Sequence, residues 1–332
     1  MGGRVAESTT VVVLILVACV LAATVAPAAV AGSVDGGAAA IDGGAAAIDA
    51  DPSTTDAVDR EAIGPGIQSS TGTVEVVVRF GDSARFEQQT VGEGRISTAD
   101  LKTNANISQA EFKRFANGNG AITVERSFWV ANAMLVTVDT DRVPIDRILH
   151  VRGVERVHQN FEVELDSATS TAGAGASSPM APSLASPTPT AQTVSTASTD
   201  TTYGVEMVRA PEVWNTFETR GAGATVAVLD TGIDPDHPDL NVSGWAEIDE
   251  NGDVNQSSTT PYDLNGHGTH VAGTVAGGNA SGTAIGVAPE ATLHGIKVFP
   301  GDERSAKFSR IIGGIEASLD PAGSASRQMW ST

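Results

Sequence analysis

An aspartate that closes an apolar strand and a histidine that opens a helix are the residues of this chain best suited to chemistry. The aspartate stands in Val226-Ala227-Val228-Leu229-Asp230-Thr231-Gly232-Ile233-Asp234. The histidine stands in Asn265-Gly266-His267-Gly268-Thr269-His270-Val271-Ala272-Gly273. A carboxylate at the carboxyl end of a buried strand is well placed for a site. Glycines on both sides of His267 leave room for a substrate. Asp230 can then hold the imidazole in one tautomer, and the imidazole can take a proton from a nucleophile and pass it to a leaving group. The neighbouring polar residues have plainer readings. Asp234 and Asp236 read as surface carboxylates, and His237 as a turn histidine. His270, one turn past His267, reads as a packed, hydrogen-bonded core histidine.

The elements that must hold this pair alternate between strand and helix. Pro211 suits the first turn of a helix continuing through Trp214. Thr225 to Leu229 reads as an apolar strand, Gly268 to Ala276 as a helix lying close to a sheet, Ala291 to Val298 as another strand, and Ser305 to Ser318 as a helix carrying Ile311, Ile312 and Ile315. This order predicts an α/β unit with a mostly parallel sheet. An earlier segment, Thr73 to Leu165, gives strand, helix, strand, strand, helix, strand, the order of a ferredoxin-like α+β domain. Val74, Val76 and Val78 mark its first strand. Ser108 and Glu111 form a capping-box pattern ahead of Phe112. Ile122–Phe128 and Ala133–Val138 follow as strands with Asn132 near the bend, then a helix over Val143–Leu149 and a strand over Val154–Val157.

The rest of the chain is poor core material. Residues 32–72 include the repeat Asp35-Gly36-Gly37-Ala38-Ala39-Ala40-Ile41 and its second copy from Asp42, too small-sided to offset backbone entropy. Residues 166–202 are a Ser/Thr/Pro-rich linker. Before both, Val11 to Ala31 is apolar except for Thr24 and ends in Ala29-Val30-Ala31, which suits signal-peptide cleavage before Gly32. The run is also long enough to span a membrane if retained, and Leu16-Val17-Ala18-Cys19 weakly resembles a lipidation site. Cys19 is the single cysteine, so no disulfide forms within the chain. The net charge is −20, from 40 acidic and 20 basic residues. Such a surface argues against nucleic-acid binding, which needs Lys and Arg on phosphates. The balance resembles proteins of salt-loving organisms, where screening mutes self-repulsion.

On the two motifs the chain is identified as resembling the subtilisin-like serine proteases, of the secreted halophilic or archaeal type. The likeness extends to Tyr203-Gly204-Val205 through Trp214, Gly286-Val287-Ala288-Pro289, Leu293 to Val298 and Gly313-Gly314-Ile315-Glu316. It covers roughly residues 73 to 318, the linker excepted. The resemblance implies that Asp230 orients the imidazole and that His267 acts as general base and then general acid. It makes residues 73–165 similar to the family's inhibitory propeptide, especially Gly153-Val154-Glu155-Arg156-Val157. The expected organisation is a signal peptide (1–31), a flexible spacer (32–72), a propeptide domain (73–165), a linker (166–202) and a subtilisin-like peptidase domain (203–332). Asp239 matches a calcium-ligating aspartate of the family, although the partner loop Gly278-Asn279-Ala280-Ser281-Gly282 has alanine at the aligned ligand position. No cofactor is needed for the chemistry itself.

The resemblance also sets expectations of absence. Ser281, Ser305, Ser309, Ser318, Ser324, Ser326 and Ser331 follow His267, none in the family's serine context, and the oxyanion-hole asparagine is missing. The chain is therefore expected to stop before the catalytic serine and to be inactive as it stands. Its peptidase unit is expected to be a half-core in which the 305–318 helix lacks neighbours. The leading reading is a secreted serine endopeptidase precursor acting on proteins or peptides, with contact between propeptide and peptidase and membrane attachment only if the N-terminal run is kept. The alternatives are a non-catalytic inhibitor or folding helper built on residues 73–165, and an inactive gene product.

Overall fold

The computed structural model describes residues 12–16, 63–64, 67, 70–90, 96–165 and 200–320. The spacer repeat, the linker up to residue 199, the segment after residue 320, and the N-terminal apolar run other than residues 12–16 lie outside the described residues. The chain divides into two compact units, one formed by residues 18–160 and the other by residues 1–17 with 161–332.

Strand β1 (Val12–Leu16) comes first and belongs to the second unit. The other unit runs β2 (Thr73–Phe80), α1 (Ala84–Thr90), α2 (Thr98–Ser108), α3 (Ala110–Asn117), β3 (Ile122–Phe128), β4 (Ala133–Asp139), α4 (Ile145–Leu149) and β5 (Val154–Gln159). Its strands form an antiparallel sheet in the order β3-β4-β2-β5. Val76, Val78, Met134, Val136, Phe112, Ile148 and Val157 pack into one core. Each such side chain contributes roughly 1.5–3 kcal/mol when taken out of water. Asn132 makes the bend between β3 and β4 at φ 45°, a conformation asparagine tolerates. Its amide donates to the Phe80 and Gly81 carbonyls, each at 3.1 Å.

The capping box lies elsewhere than the Ser108–Glu111 pattern suggests. Ser97 and Asp100 cap α2 reciprocally, whereas Ser108 turns back to the Asn104 carbonyl and to Asn132. Ser108 ends one helix, so its hydroxyl meets the open carbonyls of that helix's last turn and not the amides of the next.

The second unit continues with β6 (Glu162–Glu164), β7 (Asp200–Thr201), α5 (Tyr203–Met207), α6 (Ala210–Phe217), β8 (Thr225–Asp230), β9 (Val242–Glu247), α7 (His267–Ala276), β10 (Thr283–Ala284), β11 (Thr292–Lys297), β12 (Ser305–Lys307) and α8 (Phe308–Leu319). The central sheet, β1-β8-β11-β9, is parallel throughout. Two small sheets accompany it: β7 with β10 in parallel, and β6 with β12 antiparallel. This unit is an α/β arrangement of parallel and antiparallel sheets with flanking helices. Alternation along β8 assigns the faces. Val226 and Val228 join Ile233, Ala272, Ala276 and Leu293 beside α7. Ala227 and Leu229 join Ile296, Val298 and Ala317 beside α8. Trp214 of α6 is anchored by its indole N–H, which donates to the Val287 carbonyl at 2.9 Å, with Arg220 stacked over its ring.

The expectation that the 305–318 helix lacks neighbours is corrected here. Helix α8 buries Ile312, Gly313, Gly314, Ala317 and Ser318, and β8, β9, β11 and β12 are its neighbours. A Cβ on Gly313 would lie 2.0 Å from the Gly252 carbonyl oxygen, so the helix seats closely on the loop after β9. Strand β9, one of these neighbours, is not expected from sequence, because Val242-Ser243-Gly244-Trp245-Ala246-Glu247 shows no clean apolar alternation. Among the described residues, no helix is long and apolar enough to cross a membrane.

Candidate active site

Asp230 is the last residue of β8, fully buried, and His267 is the first residue of α7, with 22% of its side chain exposed. His267 Nδ1 and Asp230 Oδ1 are 2.8 Å apart. The same oxygen accepts the Thr231 amide at 2.7 Å. Asp230 Oδ2 is buried with no hydrogen-bond partner among the described residues. A buried carboxylate bonded to one ring nitrogen sets the tautomer and leaves Nε2 as the acceptor.

Three further residues assemble the pair. Thr231 spends each of its polar groups here. Its amide goes to Asp230, its hydroxyl donates to Asp263 Oδ1 at 2.9 Å and accepts the Gly268 amide at 2.9 Å, and its carbonyl accepts from the Lys297 ammonium. Asp263 gathers the start of α7. Its Oδ1 also accepts the Asn265 and Gly266 amides, and its Oδ2 accepts both the amide and the hydroxyl of Thr269. Burial pushes the Asp263 carboxyl up, but these donors, Thr269 first, prevail and hold it below its ordinary value. Lys297, at the end of β11, is fully buried. Burial lowers its ammonium below the usual lysine range, against the raising effect of Glu247 and Asp263.

Glycine is required where the two motifs meet. A Cβ on Gly268 would fall 2.1 Å from the Gly232 carbonyl oxygen and 3.0 Å from Asp230 Cβ. Gly232 has φ 126°, and a Cβ there would lie 1.9 Å from the Tyr262 carbonyl oxygen. Of the other residues singled out by sequence, Asp234 and Asp236 are exposed and His237 is half-buried beside the turn amide of Asp239. His270 is exposed, a correction to its reading as a core histidine. It sits on the outer side of α7, while Ala272 and Ala276 take the inner side.

The expectation that the chain stops before a catalytic serine, with only aspartate and histidine of a triad present, is also corrected. Ser309, set aside in sequence for want of context, belongs to the same compact unit as Asp230 and His267, so aspartate, histidine and serine all occur in it. Ser309 is fully buried in the first turn of α8, and its hydroxyl donates to the Glu250 carbonyl at 2.6 Å. Among the described residues, the hydrogen bond of the His267 ring is the one to Asp230. For Ser309 to serve His267, its hydroxyl must leave Glu250 and reach the ring.

Asp239 is buried beside a cavity of about 440 Å³ that Asn241, Asn279 and Glu290 also line. Its Oδ1 accepts the Ser281 amide at 3.0 Å, and bonds to Ser281, its side chain first, hold the carboxyl below its ordinary value. Calcium takes six to eight oxygens. Among the described residues no cluster of three or more His, Cys, Asp or Glu side chains could hold a metal ion.

Residues 221–325 match the model of the subtilase family, peptidase group S8. The chain is 47% identical over 117 residues to an intracellular serine protease of Paenibacillus polymyxa, covering 35% of each chain. It is 41% identical over 120 residues to the major intracellular serine protease of Bacillus subtilis (strain 168), covering 35% of this chain and 36% of that one. It is 45% identical over 115 residues to subtilisin E of the same organism, covering 34% of this chain and 28% of the relative. Over this stretch the chain is homologous to subtilase-family serine proteases. It spans about a third of the length of these relatives.

Proposed function

We propose that this chain is the secreted precursor of a subtilisin-like serine endopeptidase. The observation that carries the reading is the 2.8 Å contact between buried Asp230 and half-buried His267. In the proposed reaction a serine oxygen bonds to the scissile carbonyl carbon while its proton passes to His267 Nε2. The imidazolium then gives that proton to the leaving amine as the C–N bond breaks, and water reverses the sequence at the acyl-enzyme. Asp230, bonded to Nδ1, orients the ring and stabilises the imidazolium.

Peptide substrate is supported by the edge at β12. Segment Phe161–Leu165 lies along it as an added antiparallel strand: Ala306 pairs with Val163, the Phe308 amide donates to the Phe161 carbonyl at 2.8 Å, and the Leu165 amide donates to the Arg304 carbonyl at 2.7 Å. Extended peptides bind sheet edges in this way. A propeptide-type role for residues 73–165 is supported by the βαββαβ order and by the strand order β3-β4-β2-β5, which is ferredoxin-like. Export rests on the apolar run from Val11 to Ala31.

The test is incubation of the purified chain with a serine-directed fluorophosphonate, the modified residue then being located by mass spectrometry. We expect one serine to be labelled, and His267→Ala to slow labelling by roughly a thousandfold. Label on Ser309 would make it the nucleophile. An unlabelled wild-type chain would overturn the reading.

A further inference from the structure

We propose that Lys297 is a positioning residue for the Asp230–His267 pair, a buried ammonium that grips Thr231 and supplies the countercharge for the acidic groups gathered there. This rests on the reading of His267 as the proton acceptor. Lysine is almost never fully buried unless its charge is answered, yet Lys297 is fully buried. It is the register partner of Asp230 on the adjacent strand. Its ammonium donates to the Thr231 carbonyl and, at 2.9 Å, to the Gly301 carbonyl, and lies 4.9 Å from the centre of the Tyr262 ring. Thr231 is the residue whose amide fixes Asp230 Oδ1 and whose hydroxyl fixes the amide of Gly268, next to His267. One ammonium thus steadies both halves of the pair through a single residue.

The charges facing Lys297 come from every side. Asp230 lies on β8, Glu247 on β9 and Asp263 ahead of α7, with Arg310 of α8 as the opposing cation. Tyr262, whose hydroxyl donates to Glu247 at 3.1 Å, forms the remaining wall. A positive charge held beside an ionisable pair opposes the gain of a second one, and this is the effect that removing the ammonium should expose.

In the full-length chain, ¹³C NMR of the histidine rings, with the His267 signal assigned by its loss in His267→Ala, reads this effect without requiring catalysis. In Lys297→Met we expect the pH midpoint of the His267 signal to rise by about one unit, the size of a single-charge effect at roughly 12 Å in an effective dielectric near 20. Glu247→Gln leaves Lys297 charged and less compensated, and should move the midpoint the other way. It also keeps the result decidable if Lys297→Met does not fold. Midpoints unchanged from wild type in the folded variants would reduce Lys297 to a structural lysine and overturn the proposal. Failure of the wild-type chain to take the fluorophosphonate would instead count against the endopeptidase reading alone.

Discussion

Asp263 gains its importance from being spent. It accepts from Thr231, Asn265, Gly266 and twice from Thr269, and so ties the end of β8 to the first turn of α7. Its carboxyl is held low in the folded chain. A carboxyl lowered on folding contributes stability that is fully present above its unfolded value and is lost as the pH falls through its folded value. Asp263→Asn places an amide N–H group against donors, or leaves the Thr269 donors without an acceptor. We expect a loss of about 1–3 kcal/mol at pH 7 and a flatter fall in melting temperature on acidification. Thermal unfolding followed by circular dichroism from pH 7 to pH 3 checks both. An acid limb parallel to that of wild type would show that the donors do not favour the ionised form.

Elements meet at this site with no slack. Helix α7 begins where β8 ends because Gly268 and Gly232 let two backbones approach within a distance that excludes any Cβ. Gly268→Ala must push α7 from β8 or twist the turn at Gly232. We expect it to cost roughly 1–3 kcal/mol, the range for overpacking a well-packed interior, and to weaken the His267–Asp230 bond before the sheet itself is disturbed. Urea titration gives the first quantity, and exchange broadening of the His267 ring signals gives the second. Gly273, whose added Cβ would meet Ile285 Cδ1 at 3.4 Å, is the control in the same helix. Gly273→Ala should change stability far less, and equal losses at the two positions would refute the close-approach argument.

Across the whole molecule, 40 acidic residues face 20 basic ones. Like charges spread over a surface repel more strongly in the compact chain than in the unfolded one, and salt screens them over a length that falls from about 10 Å at 0.1 M to 3 Å at 1 M. The melting temperature should therefore rise by several degrees between 0.1 M and 2 M sodium chloride, measured by differential scanning calorimetry. A flat or falling profile would remove the reading of a protein adapted to high salt.

How much was legible beforehand follows from the range of each interaction. Val226 to Asp230 and His267 to Ala276 announced a strand and a helix because their patterns are local, and the two motifs carried the family resemblance. The alternation of strand and helix likewise settled the α/β class. Strand β9 was invisible, since burial on both faces erases alternation. Lys297 gave only a hint, a charge within the apolar run Ile296 to Phe299. Thr231 and Asp263 gave none, because their meaning lies in donors that come from 2 to 66 residues away. The amino-acid order alone determined the locally patterned elements and the identity of the carboxylate–imidazole pair. Only the tertiary structure decided their 2.8 Å approach, the buried place of Ser309 beside Glu250 and the company that Lys297 keeps, because hydrogen bonds and burial depend on distance in space and not on separation along the chain.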